Sequence, residues 1–349
     1  MPDNLRLIEG GYLRDILAQP RALEDTIAGL EIFPALREAA NRLAQGRFER
    51  IVLTGMGGSF WALHPISLQF LNRGRTAIVA ETSELIHFTP GILGPRTLLI
   101  AASQSGRSAE ILRLLDIKQP DCFTLGITNT PDSPLALRAD AAVLTHAGEE
   151  FTVSCKTYVA TLAALQWTAN VLMGAGPGDP RDELRAAPRA VEAYLSRWRD
   201  HVGEAARALA GVRDLFLLGR GASLAAVGTG ALITKESAHF HAEGMSSAAF
   251  RHGPLEMVGA SLYALVFAGD AAAAPLNGRL VDDIRQAGGA AALAGEDAGP
   301  GIFRLPRAPA AVRPILEILP VEMFTLALAA ANGREAGKFD RAAKVTTTE

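Results

Sequence analysis

The chain has 349 residues, more than one hydrophobic core usually serves, and this length predicts two domains. The formal net charge is only -3 and there is no dense Lys/Arg run, so we predict no nucleic-acid partner. The apolar fraction is 49%, glycine is frequent and aromatic residues are few. This composition favours an α/β protein with helices packed tightly on a sheet.

The N-terminal segment and the cysteines indicate the compartment. "MPDNLRLIEGGYLRDIL" carries acidic residues early and has no apolar core, so we predict no signal peptide. Cys122 and Cys155 lie in apolar segments, as expected of reduced thiols in a cytoplasmic protein. The longest uncharged run, from Thr157 to Gly178, has the length of a membrane span. Because Gln166 and Asn170 interrupt it, we predict a buried helix instead, and no membrane partner.

The first ~40 residues are predicted to be helical, with an amphipathic pattern on both sides of Pro34. "RIVLTGMGGS" (50–59) then reads as a buried strand followed by a glycine-rich turn, whose serine could cap the next helix. Further buried strands are predicted at "TAIVA" (76–80), "TLLIAAS" (97–103), "FTLGIT" (123–128) and "AAVLTH" (141–146). Helical segments such as "SAEILRLLDIK" lie between them, which predicts a parallel, doubly wound sheet.

The first strand and its turn occur a second time, as "DLFLLGRGAS" (214–223). A repeat at this spacing indicates two similar lobes that arose by duplication. Strands are predicted after the second copy at "LYALVFAG" (262–269), "GAAALAG" (289–295) and "IFRLP" (302–306). The predicted organisation is a helical segment over 1–40, a first domain over 41–180, a second over 195–335 and a tail over 336–349, with a Pro/Gly-rich linker around 174–189.

The turn after the strand at 97–103 is rich in hydroxyl groups. Ser103, Gln104, Ser105 and Ser108 stand where a buried strand gives way to a helix, together with Arg107. Ligands of open parallel sheets bind at the carboxyl ends of strands, where the first helical turn has unpaired N–H groups and a partial positive charge. The turn therefore suits a dianion such as a phosphoryl group, although an ordinary strand–helix turn would look similar.

The segment from Ile233 to Pro254 concentrates titratable residues, and it reads as a helix that continues into a loop. It contains three of the seven histidines, along with two glutamates. His239, His241 and Glu243 are ligand types for a metal ion, but their H-x-H-x-E spacing does not place two histidines on one helix face. We predict no metal and no cofactor.

The turn "GMGGSF" leaves a rival interpretation open, because it is a weak match to dinucleotide-binding turns. Glu81 follows the second strand, where such folds place an acidic residue for the ribose. A nucleotide-dependent oxidoreductase is therefore an alternative at this point.

Taken together, the segments resemble the sugar isomerase (SIS) family over nearly the whole chain. The resemblance is closest to the isomerase half of glutamine–fructose-6-phosphate amidotransferase and to stand-alone SIS-type glucosamine-6-phosphate deaminases. It is carried by "SQSGRSAEIL", "VSCKTYVATLAAL", "LGRG", "KESAHFHAEGMSSAAFRHGPLEMV" and "AAKVTTTE". It implies two flavodoxin-like SIS lobes with doubly wound parallel sheets, and a homodimer.

The resemblance also implies roles for particular residues. Glu236 would be the proton shuttle, His252 would open the sugar ring from a neighbouring subunit, and Lys344 would form a Schiff base with the ketose. These side chains suit the chemistry, since a buried carboxylate can serve two adjacent carbons and an amine forms imines with carbonyls. The residues implied to bind the substrate are Ser59, Ser103, Gln104, Ser105, Ser108 and Val153.

The sequence also departs from the synthase pattern. Ile233 occupies the position of a lysine three residues before the shuttle glutamate, so a supporting cation is missing. The turn "GMGGSF" shifts the hydroxyl that Ser59 would supply, and Arg107 replaces a usual acidic residue, which should favour an anionic ligand. The chain begins with Met-Pro-Asp and has no N-terminal cysteine nucleophile, so we expect no glutaminase reaction.

The expected activity is conversion of glucosamine 6-phosphate to fructose 6-phosphate and ammonia. The sequence leaves two alternatives open: deglycation of a 6-phosphofructosyl-amino acid by the same residues, and a non-catalytic phosphosugar sensor. The sensor is disfavoured because the N-terminal ~40 residues are too few and too acidic for a helix-turn-helix domain.

Overall fold

The computed structural model of the protein describes residues 6–174, 178–341 and 343–346. The chain forms two compact units, and each contains several segments of the sequence. The unit called here the first lobe consists of Arg21–Glu149, Lys156–Arg185 and Ala342–Glu349. The second lobe consists of Met1–Pro20, Glu150–Cys155 and Ala186–Arg341.

All named strands are parallel to their neighbours, and helices fall between them along the chain. The strands are β1 (Arg50–Gly55), β2 (Ala77–Glu81), β3 (Thr97–Ala102), β4 (Phe123–Thr128), β5 (Ala141–Leu144), β6 (Asp214–Gly219), β7 (Ala242–Ser246), β8 (Leu262–Phe267) and β9 (Ala290–Ala294). The helices of the first half are α1 (Gly11–Leu17), α2 (Gln19–Gly29), α3 (Pro34–Ala44), α4 (Gly57–Trp61), α5 (His64–Asn72), α6 (Thr82–Phe88), α7 (Ala109–Ile117), α8 (Pro134–Arg138) and α9 (Lys156–Leu172). Those of the second half are α10 (Ala187–Leu195), α11 (Trp198–Ala208), α12 (Leu224–Ala238), α13 (Ser247–Arg251), α14 (Ala274–Gln286), α15 (Arg313–Glu317) and α16 (Leu319–Ala331).

The first lobe contains a five-stranded sheet in the order β2-β1-β3-β4-β5. Every residue of β3 and β4 is buried, as expected for central strands covered on both faces. The chain moves outward from β1 to β2 and then returns to the other side of β1 with β3. The carboxyl ends of β1 and β3 therefore form the point where ligands bind in open sheets of this kind.

Residues 157–172 of the uncharged run form a buried helix, as their sequence predicts, and residues 175–177 of the run lie outside the described part of the chain. All residues of α9 after Lys156 are buried, and the helix packs on α3 and against β4. Near the N-terminus, α1, α2 and α3 follow one another, and Pro34 is the first residue of α3, where its missing N–H costs no hydrogen bond.

The second lobe repeats this arrangement with a four-stranded sheet in the order β7-β6-β8-β9. A cluster of buried side chains from β6, β8 and α14, including Phe216, Val266 and Ile284, packs on one face of the sheet. The predicted fold class, two doubly wound parallel α/β lobes, is confirmed.

Two details of the second lobe differ from the prediction. The segment after α12 is not a continuous loop, because β7 pairs with β6 and α13 follows it. The segment Ile302–Pro306 is not a strand, because among the described residues it contributes a single bridge, from Arg304 to Gly295. Pro306 removes a backbone donor from the end of this segment, which limits its pairing.

Among the described residues, one helical run has the length and apolarity of a membrane span. It covers Ala310–Ala331, and 89% of its most apolar window is buried inside the protein. The core helix of a globular protein has the same properties, and α16 packs against α11 and α12.

Candidate phosphosugar site

The serine-rich turn lies between β3 and α7, at the carboxyl edge of the first-lobe sheet. The Oγ of Ser103 accepts a hydrogen bond from the Gly106 N–H at 3.1 Å, and the Oγ of Ser105 accepts one from the Arg107 N–H at 3.3 Å. Ser108 is the N-cap residue of α7, yet its hydroxyl makes no capping bond to the described residues. Backbone and side chains thus form a tight turn that offers hydroxyl groups beside a helix N-terminus.

Gly106 fixes the shape of this turn. Its φ angle is +61°, in the left-handed region where a side chain is unfavourable. A Cβ built there would also collide with the side chain of Ser133 and lie 2.9 Å from the Thr128 Oγ1. Two separate reasons therefore require a glycine at this position: the positive φ angle and the lack of space for a side chain.

The neighbouring strand β4 supports the turn, which the sequence did not reveal. The Gln104 carbonyl oxygen accepts hydrogen bonds from the Asn129 N–H at 3.0 Å and from the Thr128 hydroxyl at 3.2 Å. The backbone N–H of Ser103 donates to the Ile127 carbonyl at 3.0 Å. The sequence offered one indirect signal, since β3 and β4 are consecutive strands. If they pair in the sheet, the end of "FTLGIT" lies beside the serine turn.

Ser59 lies near the same edge of the sheet. It belongs to α4, which begins directly after β1, and β1 pairs with β3 through Gly55 and Ala102. A Cβ at Gly55 would lie 2.9 Å from the Ala102 carbonyl oxygen and 3.1 Å from the Phe60 nitrogen. The glycine thus allows the Ser59 turn to approach the end of β3.

The positive charge of Arg107 is not fully available to a ligand. Its guanidinium forms an ion pair with Asp132 at 3.4 Å, and both side chains are exposed. Exposed ion pairs are weak, about 0–1 kcal/mol, so an anion could compete for Arg107.

The C-terminal tail reaches the same turn. The Ala109 N–H, in the first turn of α7, donates a hydrogen bond to the Thr346 carbonyl oxygen at 3.2 Å. Lys344 lies two residues earlier on this tail and is half-buried. The structure thus brings together the serine turn, the Ser59 turn and the Lys344 segment in the first lobe.

Glu236 and His252 both belong to the second lobe. Glu236 is half-buried in the last turn of α12, and burial raises the pKa of its carboxyl to about 7, while the charge of Lys235 opposes the shift. A carboxyl group with such a pKa can accept and return a proton near neutral pH. Lys235 itself donates to the Ala242 carbonyl at 3.2 Å, and Ile233, at the lysine position of the synthase pattern, is buried.

His252 follows α13 and is exposed on the single chain. Its backbone N–H donates to the Ala249 carbonyl at 3.0 Å, and Gly253, with a φ of +143°, continues the turn. This places the imidazole on a constrained, accessible loop.

The other titratable residues of this segment have structural partners. His239 ends α12 in the left-handed conformation, and its Nε2 lies 3.0 Å from the Arg334 guanidinium. His241 and Glu243 are exposed and 3.9 Å apart. No three His, Cys, Asp or Glu side chains in the described part of the chain are arranged to hold a metal ion.

Val153 is fully buried in the second lobe, so any contact with a substrate would involve its backbone. The adjacent Cys155 is also buried, and its N–H donates to the Glu150 carboxylate at 3.0 Å. The free cysteines Cys122 and Cys155 are both enclosed, and burial raises the pKa of the Cys122 thiol to about 11.

The comparison with known protein families gives a family for the first lobe. Residues 46–171 match the SIS domain. This range contains the first-lobe sheet and the serine turn, so this part of the chain is a SIS domain, and the two-lobed α/β fold of the whole chain matches the solved structures described next.

Three of the similar proteins show how far the similarity extends. Glutamine–fructose-6-phosphate aminotransferase (isomerizing) of Pyrococcus horikoshii is 31% identical, over 98% of this chain and 59% of that protein. The chain thus spans about three-fifths of the length of this curated relative. The C-terminal domain of glucosamine-fructose-6-phosphate aminotransferase from Francisella tularensis has a TM-score of 0.84 at 21% identity, covering 95% of this chain and 98% of that one. Glucosamine-6-phosphate deaminase from Thermotoga maritima has a TM-score of 0.78 at 18% identity, covering 97% and 100%.

Proposed function

We propose that the protein is a phosphosugar isomerase that acts as a deaminase, converting glucosamine 6-phosphate and water to fructose 6-phosphate and ammonia. The observation that carries the proposal is the Glu236 carboxyl, whose pKa is raised to about 7 by burial within the motif that defines the family's proton shuttle. The names of the relatives, which act on fructose 6-phosphate or glucosamine 6-phosphate, support the substrate class.

Binding is proposed to start with the phosphoryl group. The hydroxyls of Ser103, Ser105 and Ser108 and the amide of Gln104 would hold it, with Ser59 nearby on the adjacent strand end. The partial positive charge at the start of α7 favours a dianion there. Substrate binding would thereby fix one end of the sugar and leave the carbon chain to extend from the turn.

The proton transfers are assigned to the second lobe. His252, from a neighbouring subunit in a homodimer, would take the proton of the C1 hydroxyl and protonate the ring oxygen, which opens the ring. Glu236 would then remove the proton from C2 and return it to C1, which leaves an imine at C2. Water adds to this imine, and ammonia departs as the ketone forms. Lys344 would form an imine with the ketose carbonyl and release water, which acidifies the adjacent C–H bond.

Product analysis tests the proposal. The purified protein is incubated separately with glucosamine 6-phosphate and with a 6-phosphofructosyl-amino acid, and ammonia, free amino acid and fructose 6-phosphate are measured. We expect ammonia and fructose 6-phosphate from the first substrate. Release of an amino acid from the second substrate alone would identify a deglycase.

A second readout distinguishes an enzyme from a sensor. Fructose 6-phosphate is incubated with the protein in deuterated water, and incorporation of deuterium at C1 is followed by mass spectrometry. Absence of exchange and of every product, with phosphosugar binding intact, would overturn the catalytic proposal and favour a sensor.

A further inference from the structure

The second lobe has a cavity of about 330 Å³ that none of the proposed catalytic residues lines. It lies at the carboxyl ends of β8 and β9, and α15 forms another wall. In the first sheet, β3 pairs with β1 and the serine-rich turn follows β3. In the second sheet, β8 pairs with β6 in the same way, so the β8–α14 connection occupies the equivalent position. The cavity is therefore the second lobe's equivalent of the candidate phosphate site.

This cavity has an aspartate where the candidate phosphate site of the first lobe has serine hydroxyls. The connection from Ala268 to Ala274 has no serine, and Asp270 stands within it. The Asp270 carboxylate accepts hydrogen bonds from the N–H groups of Ala272 and Ala273 at 3.1 and 2.8 Å. The donors that a phosphoryl group would need are thus already satisfied by a side chain, and a second anion would be repelled.

The remaining charged residues of the lining are mainly acidic. Glu296, Asp297 and Glu317 join Asp270 in the wall, against one cation, Arg313. The exposed Asp297 forms an ion pair with Arg307 at 3.2 Å, so its charge is partly balanced at the rim. The rest of the lining is apolar, with alanine, leucine and proline side chains from four segments, residues 268–274, 293–298, 305–306 and 313–317.

Glu317 is the most buried of the charged residues that line the cavity. It is 1% exposed, and its Oε1 accepts a hydrogen bond from the Ser223 hydroxyl at 2.9 Å. Its Oε2 is buried and has no hydrogen-bond partner among the described residues. A buried oxygen without a donor destabilises the protein, and a ligand that supplies the donor would remove this cost.

An organic ammonium ion fits this cavity better than a metal ion does, because the ammonium group can donate a hydrogen bond. Within the described residues, no three acidic, histidine or cysteine side chains are arranged to hold a metal. The apolar walls instead suit a hydrocarbon body, and the carboxylates suit a charged amine. We propose that this cavity binds a small organic molecule through its protonated primary amine, which donates a hydrogen bond to the Oε2 of Glu317.

A matched pair of probes tests the site without involving the phosphosugar site. Cyclohexylamine and cyclohexanol have the same body and differ in the amine, and neither contains a phosphate. Their affinities are measured by ligand-observed NMR titration at pH 8. Burial raises the pKa of Glu317 to about 7, with Arg313 opposing and Asp270 adding to the shift, so its carboxylate is ionised at this pH. We expect cyclohexylamine to bind about tenfold or more tightly than cyclohexanol.

Three substitutions test whether the amine binds in this cavity. Glu317→Gln keeps the shape and should abolish the preference for the amine, whereas Asp297→Asn, at an 88% exposed rim side chain, should retain it. Ala271→Phe should fill the cavity from its exposed edge and exclude both probes without altering the buried carboxyl. Saturating fructose 6-phosphate should not displace the amine, which separates this site from the proposed catalytic one. Equal affinity of the two probes, an unchanged preference in Glu317→Gln, or displacement by fructose 6-phosphate would overturn the proposal.

Discussion

The backbone N–H of Ala109 donates a hydrogen bond to the carbonyl oxygen of Thr346, with 3.2 Å between nitrogen and oxygen. Ala109 begins the helix that follows the serine-rich turn, so this bond fixes the C-terminal tail beside the candidate phosphate site. A helix N-terminus offers unpaired donors, and the tail satisfies one of them. The bond thus gives Lys344 a defined place in the first lobe instead of leaving it on a free end.

The proposed imine at Lys344 can be trapped. Fructose 6-phosphate and borohydride should add one reduced sugar phosphate to the wild-type chain, located at Lys344 by peptide mass spectrometry. Lys344→Ala should lose this adduct, because no other tail lysine is proposed to reach the ketose. Lys338→Ala, which removes an exposed lysine from the preceding segment, should retain it. Equal labelling of all three proteins would contradict the assignment.

Glu236→Gln should reduce turnover of glucosamine 6-phosphate by about 10²–10⁴-fold, because the amide cannot carry a proton between the two carbons. Binding of the phosphosugar should change little, since the phosphoryl group is proposed to bind to the serine turn of the first lobe. In the wild type, kcat/KM should rise with pH through about 7 as this carboxyl ionises. The matched control is Glu243→Gln, at an exposed carboxylate in the same segment. Comparable losses in both variants would argue against a specific role for Glu236.

The proposed role of the serine turn in phosphate binding can be tested by replacing two glycines that have the same backbone conformation. Gly106 and Gly148 have φ angles of +61° and +72°, so alanine at either position carries a similar backbone strain. A Cβ at Gly106 collides with the Ser133 side chain, whereas one at Gly148 has no described atom within 4 Å. Gly106→Ala should therefore weaken binding of fructose 6-phosphate about tenfold or more, by calorimetry, because displacement of a binding group is costly. Gly148→Ala should preserve the affinity, and equal effects would mean that the turn does not bind the phosphate.

Stability should decrease with rising pH because of Glu322. This carboxyl is fully buried, accepts hydrogen bonds from the Gln19 amide at 2.8 and 2.7 Å, and has a pKa raised by burial from 4.5 to about 8. Between these values the folded protein retains a proton that the unfolded chain has released. The contribution is complete below pH ~4.5 and is lost as pH rises through about 8, by at most about 1.4 kcal/mol per pH unit.

Thermal unfolding between pH 5 and 8 measures this dependence. Glu322→Gln remains neutral throughout and should flatten the fall in Tm with pH. Glu192→Gln, at an exposed site on α10 of the same lobe, should leave the slope unchanged. A wild-type Tm that rises across this range would contradict the prediction.

The fold was predictable where burial is strong and local. The central strands β1, β3, β4 and β8 are buried along nearly their whole length, and each appears in the sequence as a continuous apolar run. The edge strand β7 was missed because it pairs on one side only, and its residues, "AEGMS", are mostly half-exposed. Its place depends on β6, which lies more than twenty residues earlier in the chain, so local sequence carries little signal.

The site was predictable in the same uneven way. The serine turn could be predicted because it is a contiguous segment, and its hydroxyl and amide side chains are typical of a phosphate-binding turn. The support that β4 gives to the turn and the tail bond to Thr346 depend on contacts between distant segments. The cavity at Glu317 could not be predicted for the same reason, since its walls come from four separated stretches of the chain, and Glu317 itself ends a short helix with no motif around it.

The division of the chain into lobes has a consequence for its synthesis. The segment up to Pro20 belongs to the lobe that is completed by Arg341, and Gln19 finds its partner 303 residues later. The segment that begins at Ala342 belongs to the other lobe, whose first residues follow Pro20. Because the ribosome makes the chain from its N-terminus, Tyr12 and Gln19 must wait for α16 before their buried hydrogen bonds can form. A nascent chain that stalls before α16 would therefore leave the inner face of the first helices exposed.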